Sequence, residues 1–133
     1  MFLQTKVING QKVLVPLTGD TEHDTSYSTT EIDIGKTWID GKPIYRKVIN
    51  FGALPNNTTK QVAHGISNLG WIVNISGVSY DTNSYILLPY IGISSVSKSV
   101  NLYANATNVI VITGEDKTNY TTTYVIVEYT KSS

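Results

Sequence analysis

Short apolar stretches recur along most of this chain, and each is followed by a group of turn-forming residues. From Thr37 onward the turn groups come at intervals of about 8–12 residues, as in sandwiches and barrels. Some stretches alternate, which predicts that Val100, Leu102 and Ala104 face inward. The predicted strands are residues 45–51, 60–66, 71–80, 85–91, 98–104, 109–112 and 120–130. The pattern predicts an all-β fold, a jelly-roll-like antiparallel β-sandwich, over residues 36–133.

The first 35 residues have a different pattern and are predicted to form a separate N-terminal segment. Residues 6–8 and 12–15 flank Asn9-Gly10, a residue pair typical of a tight hairpin turn. Residues 18–30 contain almost no hydrophobic side chain, which predicts an extended arm. Because an isolated hairpin is marginally stable in water, we expect it to pack on its own body, a neighbouring subunit or an upstream shaft.

Two apolar runs, residues 109–112 and 125–127, do not alternate. Continuous runs of this kind are typical of strands that are covered on both faces. The pattern leaves open whether one of the covering faces belongs to another subunit.

Charge and cysteine content exclude several classes of function. The ten basic and ten acidic residues give a formal net charge of zero, and the chain has no cysteine. Arg46 is the only arginine, and no basic stripe is present, so nucleic acid is not an expected partner. The apolar runs are much shorter than the roughly 20 residues of a membrane span, which argues against membrane insertion. Met1-Phe2-Leu3 is followed by polar residues, so we expect no signal peptide.

Candidate catalytic and metal-binding residues are few, and we expect neither a cofactor nor a metal site. His23 lies between Glu22 and Asp24 in the polar arm, where it is either solvated or touches a surface ion. His64 lies among apolar residues of a predicted strand, and we expect it to be hydrogen-bonded there. The sequence leaves open a metal site formed by three copies of His64 on a trimer axis. The sequence sets apart no pair of carboxylates for glycoside hydrolysis and no nucleophile elbow, so we expect no catalytic residues.

Aromatic residues are the best candidates for a binding surface, because a ring face matches the apolar face of a sugar. Trp38 and Tyr45 are expected in the core or in subunit contacts, and Trp71 and Tyr90 are further candidates for a stacking surface. Tyr80, Tyr85 and Tyr103 lie close to predicted turns, where core and surface positions are equally consistent with the pattern. Loops at the ends of a sandwich carry variable binding residues, so the candidate turns are residues 80–85, 104–108 and 114–119. The predicted receptor-binding residues are Tyr80, Asn83, Tyr85, Tyr103, Asn105 and Asn119.

Several segments resemble the C-terminal β-domain of tail fibre and receptor-binding proteins of tailed bacteriophages, over roughly residues 27–131. The segments are YSTTE (27–31), TWIDGKPIY (37–45), GALPN (52–56), AHGI (63–66), ILLPY (86–90) and YVIVEYTK (124–131). The resemblance implies a β-sandwich head, usually trimeric, in a virion tail. It implies no shared catalytic residues, and no receptor site transfers because the receptor contacts of these proteins vary.

The leading hypothesis is a homotrimeric tail protein that recognises a host-cell surface glycan or protein and contacts other tail proteins. It would be made in the host cytoplasm without a signal peptide and incorporated into the virion. One alternative is a structural virion component, such as a decoration, adaptor or baseplate protein. Another is an enzyme that degrades surface glycan. Binding of the free protein to intact host cells separates the first two hypotheses.

Overall fold

The computed structural model describes residues 3–16 and 26–132, and it confirms the all-β sandwich. The strands are β1 (Leu3–Ile8), β2 (Gln11–Pro16), β3 (Ile32–Thr37), β4 (Pro43–Asn50), β5 (Thr59–Ala63), β6 (Leu69–Tyr80), β7 (Tyr85–Leu88), β8 (Val100–Ala104), β9 (Asn108–Thr113) and β10 (Thr122–Lys131). A short 3-10 helix spans Val96–Lys98.

The main body consists of two antiparallel sheets that face each other. One sheet has five strands in the order β3-β4-β10-β6-β7, and the other has three in the order β5-β9-β8. The chain crosses between the sheets from β4 to β5, from β5 to β6, from β7 to β8 and from β9 to β10. The last strand thus lies between β4 and β6, an arrangement of the jelly-roll-like type.

The N-terminal hairpin is confirmed as a two-stranded sheet of β1 and β2. Asn9 and Gly10 both have positive φ angles, 51° and 79°, as a tight hairpin turn between right-handedly twisted strands requires. The predicted arm falls largely on residues 17–25, which lie outside the described residues. His23, the candidate for contact with a surface ion, also lies outside the described residues.

The body begins earlier in the chain than the pattern predicts. Val48 N–H donates to the Ser28 carbonyl at 2.8 Å, so the chain already runs beside β4 there. Strand β3 then pairs with β4, and Ile34 is buried. The predicted boundary between residues 35 and 36 therefore falls inside β3. The polar residues around Ile32 and Ile34 obscured a short alternating pattern.

The core lies between the sheets and consists mainly of aliphatic side chains from both. Burying each valine or leucine contributes about 1.5–3 kcal/mol, before the entropy of ordering the chain is subtracted. The inward orientation predicted for Val100 and Leu102 is confirmed, and Ala104 is half-buried. The buried cluster is Ile49, Phe51, Leu54, Ile66, Leu88, Val100, Leu102, Val109, Val111, Val125, Val127 and Tyr129.

Burial on both faces is confirmed for residues 109–111 in β9. Val109 and Val111 belong to the core, and Ile110 is buried on the outer face. Gln61 and Tyr103 are paired with Ile110 from the two neighbouring strands. The covering groups of β9 are therefore supplied by the same chain, and its burial does not call for another subunit.

Candidate functional site

Two of the three predicted turns lie at the same end of the sandwich. Strand β6 ends at Tyr80, which is paired with Thr122 at the start of β10. The β6–β7 turn and the β9–β10 loop are consequently neighbours, and Asn119 Nδ2 lies 3.5 Å from Asp81 Oδ2. The third turn joins β8 to β9 and lies at the opposite end, where Asn105 contacts His64.

The β6–β7 turn is held in shape by the Asp81 carboxylate. Its Oδ1 accepts hydrogen bonds from Asn83 N–H at 3.0 Å and Ser84 N–H at 2.8 Å. These backbone hydrogen bonds, together with that from the Ser84 hydroxyl, hold the pKa of Asp81 below its usual value. The side chain is therefore a carboxylate at neutral pH. Its second oxygen, Oδ2, lies on the side of Asn119.

The turn brings Tyr80 and Tyr85 face to face on the outer side of the five-stranded sheet. Their ring centroids are 4.6 Å apart with an interplanar angle of 27°, which is a stacked arrangement. The Tyr80 hydroxyl donates to the Thr82 carbonyl at 2.8 Å, which fixes that ring. Tyr85 is 71 % exposed. One face of the Tyr85 ring therefore rests on Tyr80, and the opposite face is free to receive a ligand.

A partly open cavity of about 230 Å³ lies beside this pair on the same sheet face. Two rows of paired residues cross the face here, Thr122–Tyr80–Tyr85 and Tyr124–Val78–Leu87. The cavity is lined by Val78, Ser79, Tyr80, Tyr85, Thr122 and Tyr124. We use the name tyrosine site for this cavity together with Asp81, Asn83 and Asn119. It offers apolar ring faces, amide donors and carboxylate and hydroxyl acceptors.

The structure brings four of the six predicted receptor-binding residues together, namely Tyr80, Asn83, Tyr85 and Asn119. Tyr103 lies on the outer face of the three-stranded sheet and is 43 % exposed. Asn105 is committed to its own turn, because its Oδ1 accepts from the N–H groups of Thr107 and Asn108. These two residues are therefore not part of the tyrosine site.

His64 has a structural role in the part of the chain that the structure describes. It follows the end of β5 at Ala63, so the prediction that this strand continues to residue 66 is wrong. The side chain is buried, as expected for a hydrogen-bonded histidine. Its Nδ1 accepts from Ile66 N–H at 3.1 Å, which leaves the proton on Nε2, 3.1 Å from the Asn105 carbonyl. The ring bridges two turns and offers no nitrogen to a ligand.

The other predicted aromatics divide between packing and surface. Tyr45 packs against the core, as expected, and Trp38 is half-buried beside the β3–β4 turn. Trp71 and Tyr90 are exposed. In the β3–β4 turn, Asp40 Oδ1 accepts a hydrogen bond from Lys42 N–H, two residues on, at 3.0 Å. Asp81 accepts in the same way from Asn83 N–H in the β6–β7 turn. Asp40 is at the opposite end of the sandwich from the tyrosine site, because β4 starts beside the end of β10.

One exposed surface was not predicted from the sequence. The β7–β8 connection is an ordered loop, closed by reciprocal backbone hydrogen bonds between Tyr90 and Val100 at 2.9 and 2.8 Å. Ile93 and Val96 are 99 % and 88 % exposed in it, and Ile91 is also exposed. We use the name aliphatic loop for residues 90–100. Its signal in the sequence is an apolar series interrupted by Gly92 and serines. The strand predicted over residues 85–91 runs into this loop, whereas β7 ends at Leu88.

The acidic side chains of the β9–β10 loop are engaged by neighbouring residues. Glu115 pairs with Lys117 at 3.2 Å, and Asp116 Oδ1 accepts from the Thr118 N–H and hydroxyl. No group of three metal-ligating side chains occurs among the described residues. Within the same residues, no helix has the length and apolar character needed to cross a membrane.

Comparison with family models, with curated proteins and with solved structures found no match to this chain.

Proposed function

We propose that this protein is a bacteriophage tail protein whose β-sandwich head recognises the host cell surface by binding glycan at the tyrosine site. The observation that carries the proposal is the exposed Tyr85 ring, stacked on Tyr80 beside a cavity and surrounded by amide and carboxylate groups. The virion context comes from the resemblance to tail fibre and receptor-binding proteins.

The chemistry of the tyrosine site suits a sugar ring. The C–H face of a pyranose packs on an aromatic face, and its hydroxyls need donors and acceptors at the rim. Asn119 and Asn83 supply amides, and Asp81 Oδ2 supplies a strong acceptor. The Tyr80 ring is fixed by its hydrogen bond to Thr82 and the Tyr85 ring stacks on it, so Tyr85 loses less side-chain entropy when a ligand binds than an unsupported ring would. Because the cavity is partly open to solvent, it favours the end or the side of a glycan chain over a fully enclosed small molecule.

The trimer is proposed on different grounds. Exposed side chains of Ile91, Ile93 and Val96 on an ordered loop are unfavourable in water and favour an apolar contact. Obligate homo-oligomers join through apolar surface of this kind. Strand β9 gives no support, since its own chain covers it. Contacts with other tail proteins, and synthesis in the host cytoplasm, belong to the same proposal and rest on the resemblance.

A structural virion component is the second candidate function. The aliphatic loop favours it, because an apolar ordered loop serves equally well to attach the protein to a larger assembly. In that case the tyrosine site has no ligand. An enzyme that degrades glycan is not proposed, because the carboxylates nearest to the tyrosine site are engaged in turns or in an ion pair.

Binding of the purified full-length chain to intact bacteria tests the proposal. A recognition head is expected to bind some members of a panel of strains, and binding should fall after enzymatic or periodate treatment of the surface glycan. A structural component binds none of them. Light scattering of the same sample tests the trimer: a monomer mass at micromolar concentration contradicts it.

A further inference from the structure

The charges around the tyrosine site are unevenly distributed. The six residues that line the cavity are all uncharged. The neighbouring turn contributes the Asp81 carboxylate at the rim, with its Oδ2 toward Asn119. A ligand that reaches from the Tyr85 ring toward Asn119 therefore meets a negative charge.

The lysine of the neighbouring loop does not offset this charge. Lys117 Nζ pairs with Glu115 at 3.2 Å and lies 5.9 Å from the centre of the Tyr90 ring. Its side chain is largely buried in these contacts. Asp116 adds a further carboxylate to the same loop, and its pKa is lowered by hydrogen bonds from Thr118. Among the carboxylates of these two segments, Asp81 and Asp116 are thus the ones that Lys117 does not neutralise.

We propose that the tyrosine site selects uncharged sugars and rejects sugars that carry a carboxylate, with Asp81 as the specificity-determining residue. The inference rests on the proposed glycan-binding function and adds the class of ligand to it. Asp81 acts on specificity in two ways. It accepts hydrogen bonds from sugar hydroxyls, which a carboxylate on the ligand does not supply, and it repels an anion.

The expected discrimination is modest because the site is open to water. Two like charges about 7 Å apart, at an effective dielectric constant between those of water and a protein surface, disfavour binding by roughly five-fold. Exposed charges are screened by salt over about 8–10 Å at ordinary ionic strength. The preference for the uncharged sugar should therefore shrink when salt is raised, whereas binding of the uncharged sugar should hardly change.

Asp81→Asn separates the charge from the turn. The asparagine side-chain oxygen still accepts from the Asn83 and Ser84 N–H groups, so the turn is kept while the charge is lost. Asp40→Asn is the matched control, because Asp40 holds the same kind of turn at the opposite end of the sandwich. Asn83→Lys is a second variant, which keeps the Asp81 carboxylate and adds a positive charge to the exposed turn.

The test measures binding of the full-length chain to a panel of neutral hexose and N-acetylhexosamine polysaccharides. Each polymer that binds is then compared with its own C6-oxidised form, in which the sugar ring is the same and a carboxylate replaces the primary alcohol. The expected result is about five-fold weaker binding of the oxidised form. Asp81→Asn and Asn83→Lys should reduce this difference, and Asp40→Asn should leave it unchanged.

The outcomes distinguish the inference from the function on which it rests. Equal or tighter binding of the oxidised polymer overturns the inference and leaves glycan binding intact. A preference for the neutral polymer that survives both Asp81→Asn and Asn83→Lys overturns the role of Asp81. Binding to no polysaccharide and to no intact bacteria contradicts the proposed function itself, and the inference falls with it.

Discussion

The Tyr45–Tyr129 and Tyr80–Tyr85 pairs have almost the same interplanar angle, 26° and 27°, but lie at opposite ends of the sandwich. Tyr129 is completely buried. Its hydroxyl donates to Glu31 Oε1 at 2.5 Å, and Lys131 Nζ lies 2.8 Å from the same oxygen. Burial and the neighbouring Glu31 carboxylate raise the pKa of Tyr129. This pair joins the segment before β3 to the last strand.

The Tyr80–Tyr85 pair has the opposite character. Its rings stack more closely, at 4.6 Å against 6.0 Å, yet Tyr85 is mostly exposed and its contacts do not join distant parts of the chain. The difference shows that stacking alone does not distinguish a binding site from a structural contact. The exposed face of the Tyr85 ring makes that distinction, because only at an exposed face can a ligand replace water. The predictions that follow test this division.

Tyr129→Ala should have the largest effect. Removing a fully buried aromatic ring leaves a cavity in the core, and such changes lower the free energy of unfolding by about 3–5 kcal/mol. Urea unfolding followed by tyrosine and tryptophan fluorescence measures the change. A loss below about 1 kcal/mol would show that the Tyr45–Tyr129 end is not the structural end of the molecule.

Tyr129→Phe isolates the hydroxyl. The ring and its stacking are kept, but Glu31 loses one of its donors, and hydrogen bonds to charged groups contribute about 1.5–3 kcal/mol. Because Glu31 keeps Lys131 and partial access to water, the loss should lie at the lower end of that range. Comparison with Tyr129→Ala in the same urea series separates the hydroxyl from the ring. An unchanged midpoint contradicts the account.

Tyr85→Ala should change stability much less. An aromatic pair contributes about 0.5–1.5 kcal/mol, and here one ring is exposed, so we expect a loss near the lower figure. Thermal unfolding measures this loss of stability, and light scattering should give the same oligomer mass as for the wild type. If the variant unfolds or dissociates at room temperature, Tyr85 is a structural residue and the comparison between the two pairs fails.

Acid should weaken the Tyr129 end by a smaller amount. Burial by itself raises the pKa of Glu31, but hydrogen bonds from Lys131 and Tyr129 outweigh it, and the net pKa is below its ordinary value of 4.5. A lowered folded-state pKa contributes stability above about pH 4.5 that is lost as the pH falls further. The melting temperature of the wild type should therefore drop more between pH 7 and pH 3 than that of Glu31→Gln. Equal drops would contradict the shift.

The strands and the hairpin turns could be predicted because their signals are local. Asn9-Gly10 and the alternation around Leu102 depend only on neighbouring residues. The stacking of Tyr80 on Tyr85 also had a local signal, since the two residues border a four-residue turn and are paired across it. Strand β3 was missed because its few apolar residues stand among polar ones.

The grouping of the turns could not be predicted, because it depends on strand order. Asn119 approaches Asp81 only because β10 lies between β4 and β6, and Asn105 is at the other end for the same reason. Pairings between distant strands leave no mark on the local sequence. The exposure of Ile93 and Val96 was equally hidden, since an apolar residue in a sequence is first interpreted as core.

The most direct test of the central claim compares Tyr85→Ala with Tyr103→Ala in binding to intact bacteria or to a glycan that the wild type binds. Both tyrosines are exposed, but Tyr103 lies on the other sheet, away from the tyrosine site. Loss of the stacking ring should weaken binding by about 1–2 kcal/mol, roughly 5- to 30-fold. Tyr103→Ala should bind like the wild type. Unchanged binding by Tyr85→Ala, or a greater loss in Tyr103→Ala, would contradict the assignment of recognition to the Tyr80–Tyr85 end.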